Sequence, residues 1–291
     1  MGRRFPFFVE RHRISMAQRG QSIYPIQTLR DNIISLEAAI LVCIAKPRKD
    51  AVHRLRTTTR RIDAQLELLA MLPHLPEHQK EARKAARLLR KLRHAAGEVR
   101  DLDVQRDLIR DEAAKKSRGK PSVRREARSL RRELKLQREQ QSEELLDLLQ
   151  KQHAKLTNVF ERLLEKLTPA ESTVLTEAQL TSLVHDWYAA RCGNQLLPDA
   201  MQDPGRLHDI RKQAKLARYL AESAPESASR ARRLAARFED LQQAGGDWHD
   251  WLLLAEIAHQ ELGKSATLAE RFTTHADRSL SLYKRRLRHK I

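Results

Sequence analysis

Apolar residues recur along this chain at the spacing of helices. Between residues 25 and 45, Ile26, Leu29, Ile33, Leu36, Ile40 and Ile44 fall on one face of a 3.6-residue repeat. Pro47 ends that segment. Asp50 is placed to cap a second helix, which runs to about residue 72 with Leu55, Ile62, Leu66 and Leu69 on its inner arc. Pro73 and Pro76 mark a tight connection, and a third helix is expected to run to residue 96, where Gly97 breaks it from a fourth over 98–115. A turn-like loop at 117–121 precedes a highly charged stretch over 122–167, whose periodicity fits one helix or two. Beyond Pro169 the pattern predicts helices at about 176–192, 204–223, 228–243, 247–262 and 268–288. Strand-like alternation of β-branched and aromatic residues is absent. Short connections imply antiparallel neighbours, so the expected fold is all-α and built of bundles.

Composition adds a partner to this picture. The chain has 291 residues, enough for one large domain or two small ones. Lys and Arg number 56 against 38 Asp and Glu, a formal net charge of +18 that favours an anionic partner over a bare soluble chain. Nucleic acid, acidic lipid, acidic protein and polyphosphate all satisfy that requirement. The longest clean apolar run, 38–45, is far too short to span a bilayer, so no membrane partner is expected. Residues 1–21 read as a basic arm. Its Arg3-Arg4 pair is not a twin-arginine export signal, because Glu10 to Arg13 interrupt the apolar stretch that begins at Phe5. Cys43 and Cys192 stand in no metal-like spacing and are expected to be reduced, half-buried thiols of a cytoplasmic protein.

Two motifs occur twice. His53-Arg54-Leu55-Arg56 with Arg60 is matched by His208-Asp209-Ile210-Arg211 with Lys215, an offset of 155 residues. Gly97-Glu98-Val99-Arg100-Asp101 is matched by Gly246-Asp247-Trp248-His249-Asp250, an offset of 149. The near-constant offset implies a tandem duplication of a four-helix unit, over 22–168 and 169–291.

The first motif places cations in a row. At about 100° per residue, His53, Arg56 and Arg60 share an arc of about 60°, beside the apolar arc rather than within it. His208, Arg211 and Lys215 do the same, while Ile210, Ala214 and Ala217 face inward and Arg218 extends the row. Cations at i, i+3 and i+7 suit a ligand that presents phosphates at regular intervals: arginine offers a planar fork of donors and lysine a point charge. A single such helix is more economically a solvated face; its recurrence favours a binding role. Gly97 and Gly246 are read as helix stops with positive φ or close backbone approach. Asp101 and Asp250 are read as first-turn residues that favour the helix dipole, or that hold Arg100 or a nearby histidine. Arg100 and His249 occupy the same repeat position and are candidates for a shared ligand. Among the cations of the third helix, Arg83, Lys84, Arg87, Arg90, Lys91 and Arg93, the best candidate for the ligand face is Arg90.

These segments together resemble the CHAD family, the conserved histidine α-helical domain. The resemblance rests on Val52-His53-Arg54-Leu55-Arg56 with Arg60-Arg61, on Gly97-x-x-Arg100-Asp101-Leu102-Asp103-Val104, and on Leu207-His208-x-Ile210-Arg211 with Lys215, Arg218 and Tyr219. It covers about residues 22–290. It implies two four-helix units related by approximate twofold symmetry, a basic central groove or pore, and binding of inorganic polyphosphate, often with localisation to polyphosphate granules. The ligand-facing candidates it implies are His53, Arg56, Arg60, His208, Arg211, Lys215 and Arg218. The E-x-E-x-K motif of the triphosphate-tunnel (CYTH) domain that many members carry is missing, which implies a stand-alone binding module. His249 and the Gly245-Gly246-x-Trp248 junction depart from the family pattern.

No metal-ligand spacing, nucleophile setting or phosphate-cradling glycine loop occurs, so no metal, cofactor or catalysis is expected. Two competing functions remain. Nonspecific nucleic-acid binding fits the charge, although the aromatic platforms of single-strand binders are scarce. A helical adaptor would use residues 122–167 to engage protein partners.

Overall fold

Prolines and capping side chains divide the chain into eight α-helices among the residues that the computed structural model describes, 22–116, 121–193, 202–263 and 265–290. The basic arm at 1–21 lies outside them. Helix α1, Pro25–Ala45, opens on a proline whose missing N–H costs nothing there, and stops at Lys46, extended ahead of Pro47. In α2, Lys49–Met71, Arg48 is the N-cap and Asp50 sits inside the first turn, so Asp50 complements the dipole instead of capping. Leu72, extended before Pro73, ends it. Helix α3 is Gln79–Lys116 and α4 is Pro121–Leu167, the charged stretch forming one helix. A 3-10 turn, Thr168–Ala170, follows it.

Helix α5, Glu177–Cys192, begins with a capping box: the Gln179 N–H donates to Thr176 Oγ1 at 3.2 Å and the Thr176 N–H to Gln179 Oε1 at 2.9 Å. Helix α6, Pro204–Ala221, is capped by Asp203, which accepts from the Gly205 N–H at 2.8 Å. Helix α7, Ser229–Leu262, ends at Gly263, the one described glycine with positive φ, 87°. Helix α8 is Thr267–Lys290. None of these helices is long and apolar enough to cross a membrane.

Two expected breaks are absent. Helix α3 passes through Gly97 and α7 through Gly245 and Gly246, all with ordinary φ. Glycine's low helix propensity predicts a stop, but packing overrides propensity here. A Cβ at Gly97 would collide with Arg56 Nη1, so the guanidinium rests on bare backbone. A Cβ at Gly245 would lie 2.9 Å from the Tyr283 ring and 3.0 Å from Arg211 Cγ. Gly246, the residue singled out by the repeat, faces open space. Asp101 and Asp250 are consequently mid-helix residues, not first-turn residues.

The apolar side chains form three cores. Helices α1 and α2 close one with the start of α3 and the end of α4, around Leu36, Leu55, Ile62 and Phe160. Helices α5 and α6 close a second with the start of α7 and the end of α8, around Trp187, Ile210, Trp248 and Tyr283. The remaining lengths of α3, α4, α7 and α8 meet in a third, around Ile109, Leu134, Leu254 and Phe272. Cys43 and Cys192 are fully rather than half buried, and burial pushes both thiols up to about 11.

Three links set how these parts sit. Helix α2 packs on α6, bringing the two histidine motifs together. Ile23 and Leu175 exchange backbone hydrogen bonds of 2.9 and 2.8 Å, tying the start of α1 to the start of α5. Arg138 of α4 donates to Asp103 of α3 at 2.9 Å and to the Pro47 carbonyl at 2.8 Å, pinning the α1–α2 corner.

The glycines separate helix breaking from close packing. Gly246→Ala gains helix propensity and should raise stability by about 0.5–1 kcal/mol. Gly245→Val pushes methyls against Tyr283, which is fully buried and bonded through its hydroxyl to the Leu207 carbonyl at 3.1 Å. Overpacking there should cost about 1–3 kcal/mol. Urea unfolding of both variants measures the contrast, and destabilisation by both would restore the helix-stop interpretation.

Candidate functional site

The polar edge of the α2–α6 contact follows from where each helix buries its apolar arc. Leu55 and Ile62 of α2 turn into the first core, and Ile210, Ala214 and Ala217 of α6 into the second. What remains where the helices meet is Arg56 and Arg60 from α2 with Arg211 and Lys215 from α6. The four are close enough that Arg56, Arg60 and Arg211 each weaken protonation of Lys215. Helix α3 adds Arg100 and Asp101, and α7 adds His249 and Asp250.

Little in the protein balances these cations. Lys215 forms no hydrogen bond or ion pair among the described residues, and Asp101 supplies an opposing charge that three arginines outnumber. Its amine is driven down to about 7, first by burial and then by Arg56, Arg60 and Arg211. Burial, followed by Arg93 and Arg56, brings Arg60 down to about 10. Arg60 Nε, Arg100 Nη1 and Arg211 Nε are buried N–H donors without an acceptor. Such groups are costly to leave unpaired, so each is a vacant donor position.

Two carboxylates offset part of the charge. Arg56 Nη2 stands 3.8 Å from Asp101 Oδ1, a loose pair, and Arg211 feels Asp250 most strongly among charges. Asp250 is itself pushed up to about 6 by burial and then by Asp101. Five cations against two carboxylates, one of them part-protonated near neutrality, leave the crossing positive.

Histidines flank it. His53 is exposed at the rim, and its partial burial, then Arg100, Lys215 and Arg56, hold it below the usual histidine range. The rings of His208 and His249 pack against each other, tilted by 48°, with centroids 4.7 Å apart. Burial and then Arg211 bring each down to about 4. Both are neutral at pH 7, with ring N–H groups able to donate to an anion.

Beside the crossing lies an open groove of about 1080 Å³ between α2, α3 and α6, and Arg60 lines both. Its other cations include Arg83, Arg87, Arg90 and Arg93 from α3 and Lys212 from α6. Arg93 pairs with Asp63 across the groove wall.

The structure therefore brings together His53, Arg56, Arg60, Arg100, Arg211, Lys215, His208 and His249, and places Arg90 in the adjoining groove. Arg218 stands apart in character: it is bound to Glu222 at 2.6 Å and to Glu239 at 3.0 Å, so its charge is already matched. Sequence reasoning passed over Lys212, and ranked Arg83, Arg87 and Arg93 below Arg90 although they line the same groove. The spacing of Arg83, Arg87 and Arg90 on one helical face was the available signal.

The family pattern of the CHAD domain matches residues 27–259. No curated protein matches the chain significantly. Among solved structures, PptA from Streptomyces chartreusis superposes with a TM-score of 0.62 at 15% identity, covering 91% of this chain and 98% of its own. The CHAD domain from the plant Ricinus communis superposes at 0.57 and 16%, covering 93% of each chain. At such identities the likeness speaks for the all-helical fold.

The depressed histidines give a stability signature with a definite sign. Their folded values of about 4 lie below the unfolded value of about 6.5, so the unfolded chain binds more protons between those limits. Their contribution to stability should fall as pH drops from about 6.5 towards 4. Imidazole NMR titrations of His208 and His249 should show midpoints near 4, and midpoints at the ordinary histidine value would contradict the packing described.

Proposed function

The chain belongs to the CHAD-domain family, and from that premise we propose that it binds inorganic polyphosphate, without catalysis, at the α2–α6 crossing and along the adjoining groove. The observation that carries this reading is the set of buried guanidinium N–H groups on Arg60, Arg100 and Arg211 that lack an acceptor, around a lysine whose charge three neighbouring arginines oppose. A ligand with closely spaced oxygens on a flexible backbone answers all of them at once. It also removes the mutual repulsion that depresses Lys215.

On this reading each half of the chain, 22–168 and 169–291, contributes one stripe. Arg56, Arg60, Arg211 and Lys215 grip phosphates at the centre. Arg100 and His53 extend the contact on one side, His208 and His249 on another, and Arg90 leads it into the groove. Arg218, matched by its own glutamates, adds only longer-range charge. A polymer held this way suits retention at polyphosphate granules.

Calorimetry at about physiological salt, with single-stranded DNA of equal charge as control, tests the proposal. Polyphosphate should bind much more tightly than DNA. An Arg60→Ala/Arg211→Ala variant, its helicity checked by circular dichroism, should lose about 100-fold or more, since each charged hydrogen-bonding group contributes about tenfold or better. Equal binding of both polymers would make the site a generic polycation and favour nucleic acid. An unaffected variant would move the site elsewhere.

A further inference from the structure

Helix α1 is apolar on two sides, and only one of them is used. Leu29, Ile33, Leu36, Ile40 and Cys43 point into the first core. On the opposite side Gln27, Asp31, Ile34, Ala38, Leu41 and Ala45 are all exposed. Their spacing of four, three, four, three and four residues is that of the a/d seam of a coiled coil. The second half of the helix carries no charge from Ala38 to Ala45, in a chain with 56 Lys and Arg. Five large apolar side chains are exposed among the described residues, and three stand here: Ile34 at 61%, Leu41 at 57% and Val42 at 48%. A helix apolar all round is ordinarily buried all round.

We propose that this seam pairs with the same seam of a second copy of the chain, antiparallel about a twofold axis, to give a homodimer. Pairing of this kind is independent of phosphate binding at the crossing. The residues of the seam select both the occupant and the direction. Antiparallel helices set each a position against a d position, so Ile34 meets the second copy's Ala45 and Ala38 meets its Leu41, each twice by symmetry. Every layer then joins one large side chain to one small one, at uniform spacing. A parallel pairing would set Ile34 on Ile34 and Ala38 on Ala38, so that bulky layers alternate with gaps.

Charge makes the same choice. The Asp31 carboxylate accepts from the Gln27 amide at 2.9 Å and pairs with no cation among the described residues. At the other end of the helix Lys46 and Arg48 are exposed. Antiparallel pairing brings the second copy's Asp31 to that basic end, and the twofold axis repeats the match at the far end of the seam. Parallel pairing would set Asp31 against Asp31. From Asp31 to Ala45 the seam is about 21 Å long, which places the contact at the small end of specific interfaces. Two chains of net charge +18 also repel each other. Pairing is therefore weak in dilute buffer and strengthens as salt screens that charge.

Sedimentation velocity of the full chain, without polyphosphate and at about 0.5 M salt, where the Debye length is about 4 Å, tests the pairing. The weight-average mass should climb towards twice the monomer value between about 10 and 500 µM. Leu41→Glu sets a charge into the seam and should weaken association by about tenfold or more. Because Leu41 is exposed in the single chain, the urea midpoint of that variant should not move. Direction is read by disulfide trapping: Ala38→Cys mixed with Leu41→Cys should cross-link faster than either variant alone, while the native Cys43 and Cys192 stay buried. A chain that remains monomeric throughout overturns the proposal and leaves the seam to an occupant of another kind. Association unchanged in Leu41→Glu overturns it too, by putting the contact elsewhere. Faster trapping within each single variant than in the mixture overturns the antiparallel arrangement. None of these readings involves the crossing, so they hold whether or not polyphosphate binds there.

Discussion

Everything about this protein turns on like charges held together by a scaffold that only partly balances them. Arg56, Arg60, Arg211 and Lys215 would separate if they sat on mobile surface side chains. They cannot, because the helices that carry them are fixed from behind by two separate cores. Leu55 and Ile62 anchor α2 in one, and Ile210, Ala214 and Ala217 anchor α6 in the other. The cost of crowding the cations appears locally, in the depressed protonation of Lys215 and Arg60 and the raised carboxyl of Asp250. An anion held there, as proposed, would relieve that cost, and part of the stabilisation gained would be repulsion already stored in the fold.

The scaffold that bears this load is longer than the site. Helices α3, α4, α7 and α8 run past the crossing and meet in a third core around Ile109, Leu134, Leu254 and Phe272. That distal bundle couples the two histidine-bearing parts without using polar contacts at the site, and α3 and α7 reach it only because they do not break at their glycines. The same two helices deliver Arg100, Asp101, His249 and Asp250 to the crossing. Continuity through Gly97 and Gly245 is therefore a condition of both the architecture and the chemistry. Bare backbone at Gly97 lets the Arg56 guanidinium lie on α3, and bare backbone at Gly245 lets Tyr283 and the stem of Arg211 close on α7.

Neutral histidines complete the logic. With His208 and His249 uncharged at pH 7, the site offers N–H donors without adding to the repulsion, and a bound polyanion can draw protons onto them. His53, at the rim, behaves in the same sense. The site thus combines fixed guanidinium charge, one lysine whose protonation is depressed, and neutral imidazoles that a bound anion would tend to protonate.

Sequence periodicity alone determined that the chain is helical, where most helices begin and end, and which arcs of α2 and α6 face inward, because burial of apolar side chains repeats every 3.6 residues whatever the partner. The resemblance carried by His53, Arg56, Gly97, Asp101, His208 and Arg211 also named the family. Tertiary structure alone decided what glycine does at Gly97, Gly245 and Gly246, since a stop and a close approach look identical until the neighbour is known. It decided that Arg60, Arg100 and Arg211 each keep a buried N–H without an acceptor while Arg218 is spent on Glu222 and Glu239, a distinction that depends on residues far apart in sequence. It also put Arg83, Arg87, Arg93 and Lys212 beside Arg90 in one groove. Local spacing records which way a side chain points; only packing across helices records what stands opposite, and the charge balance of a site is set by what stands opposite.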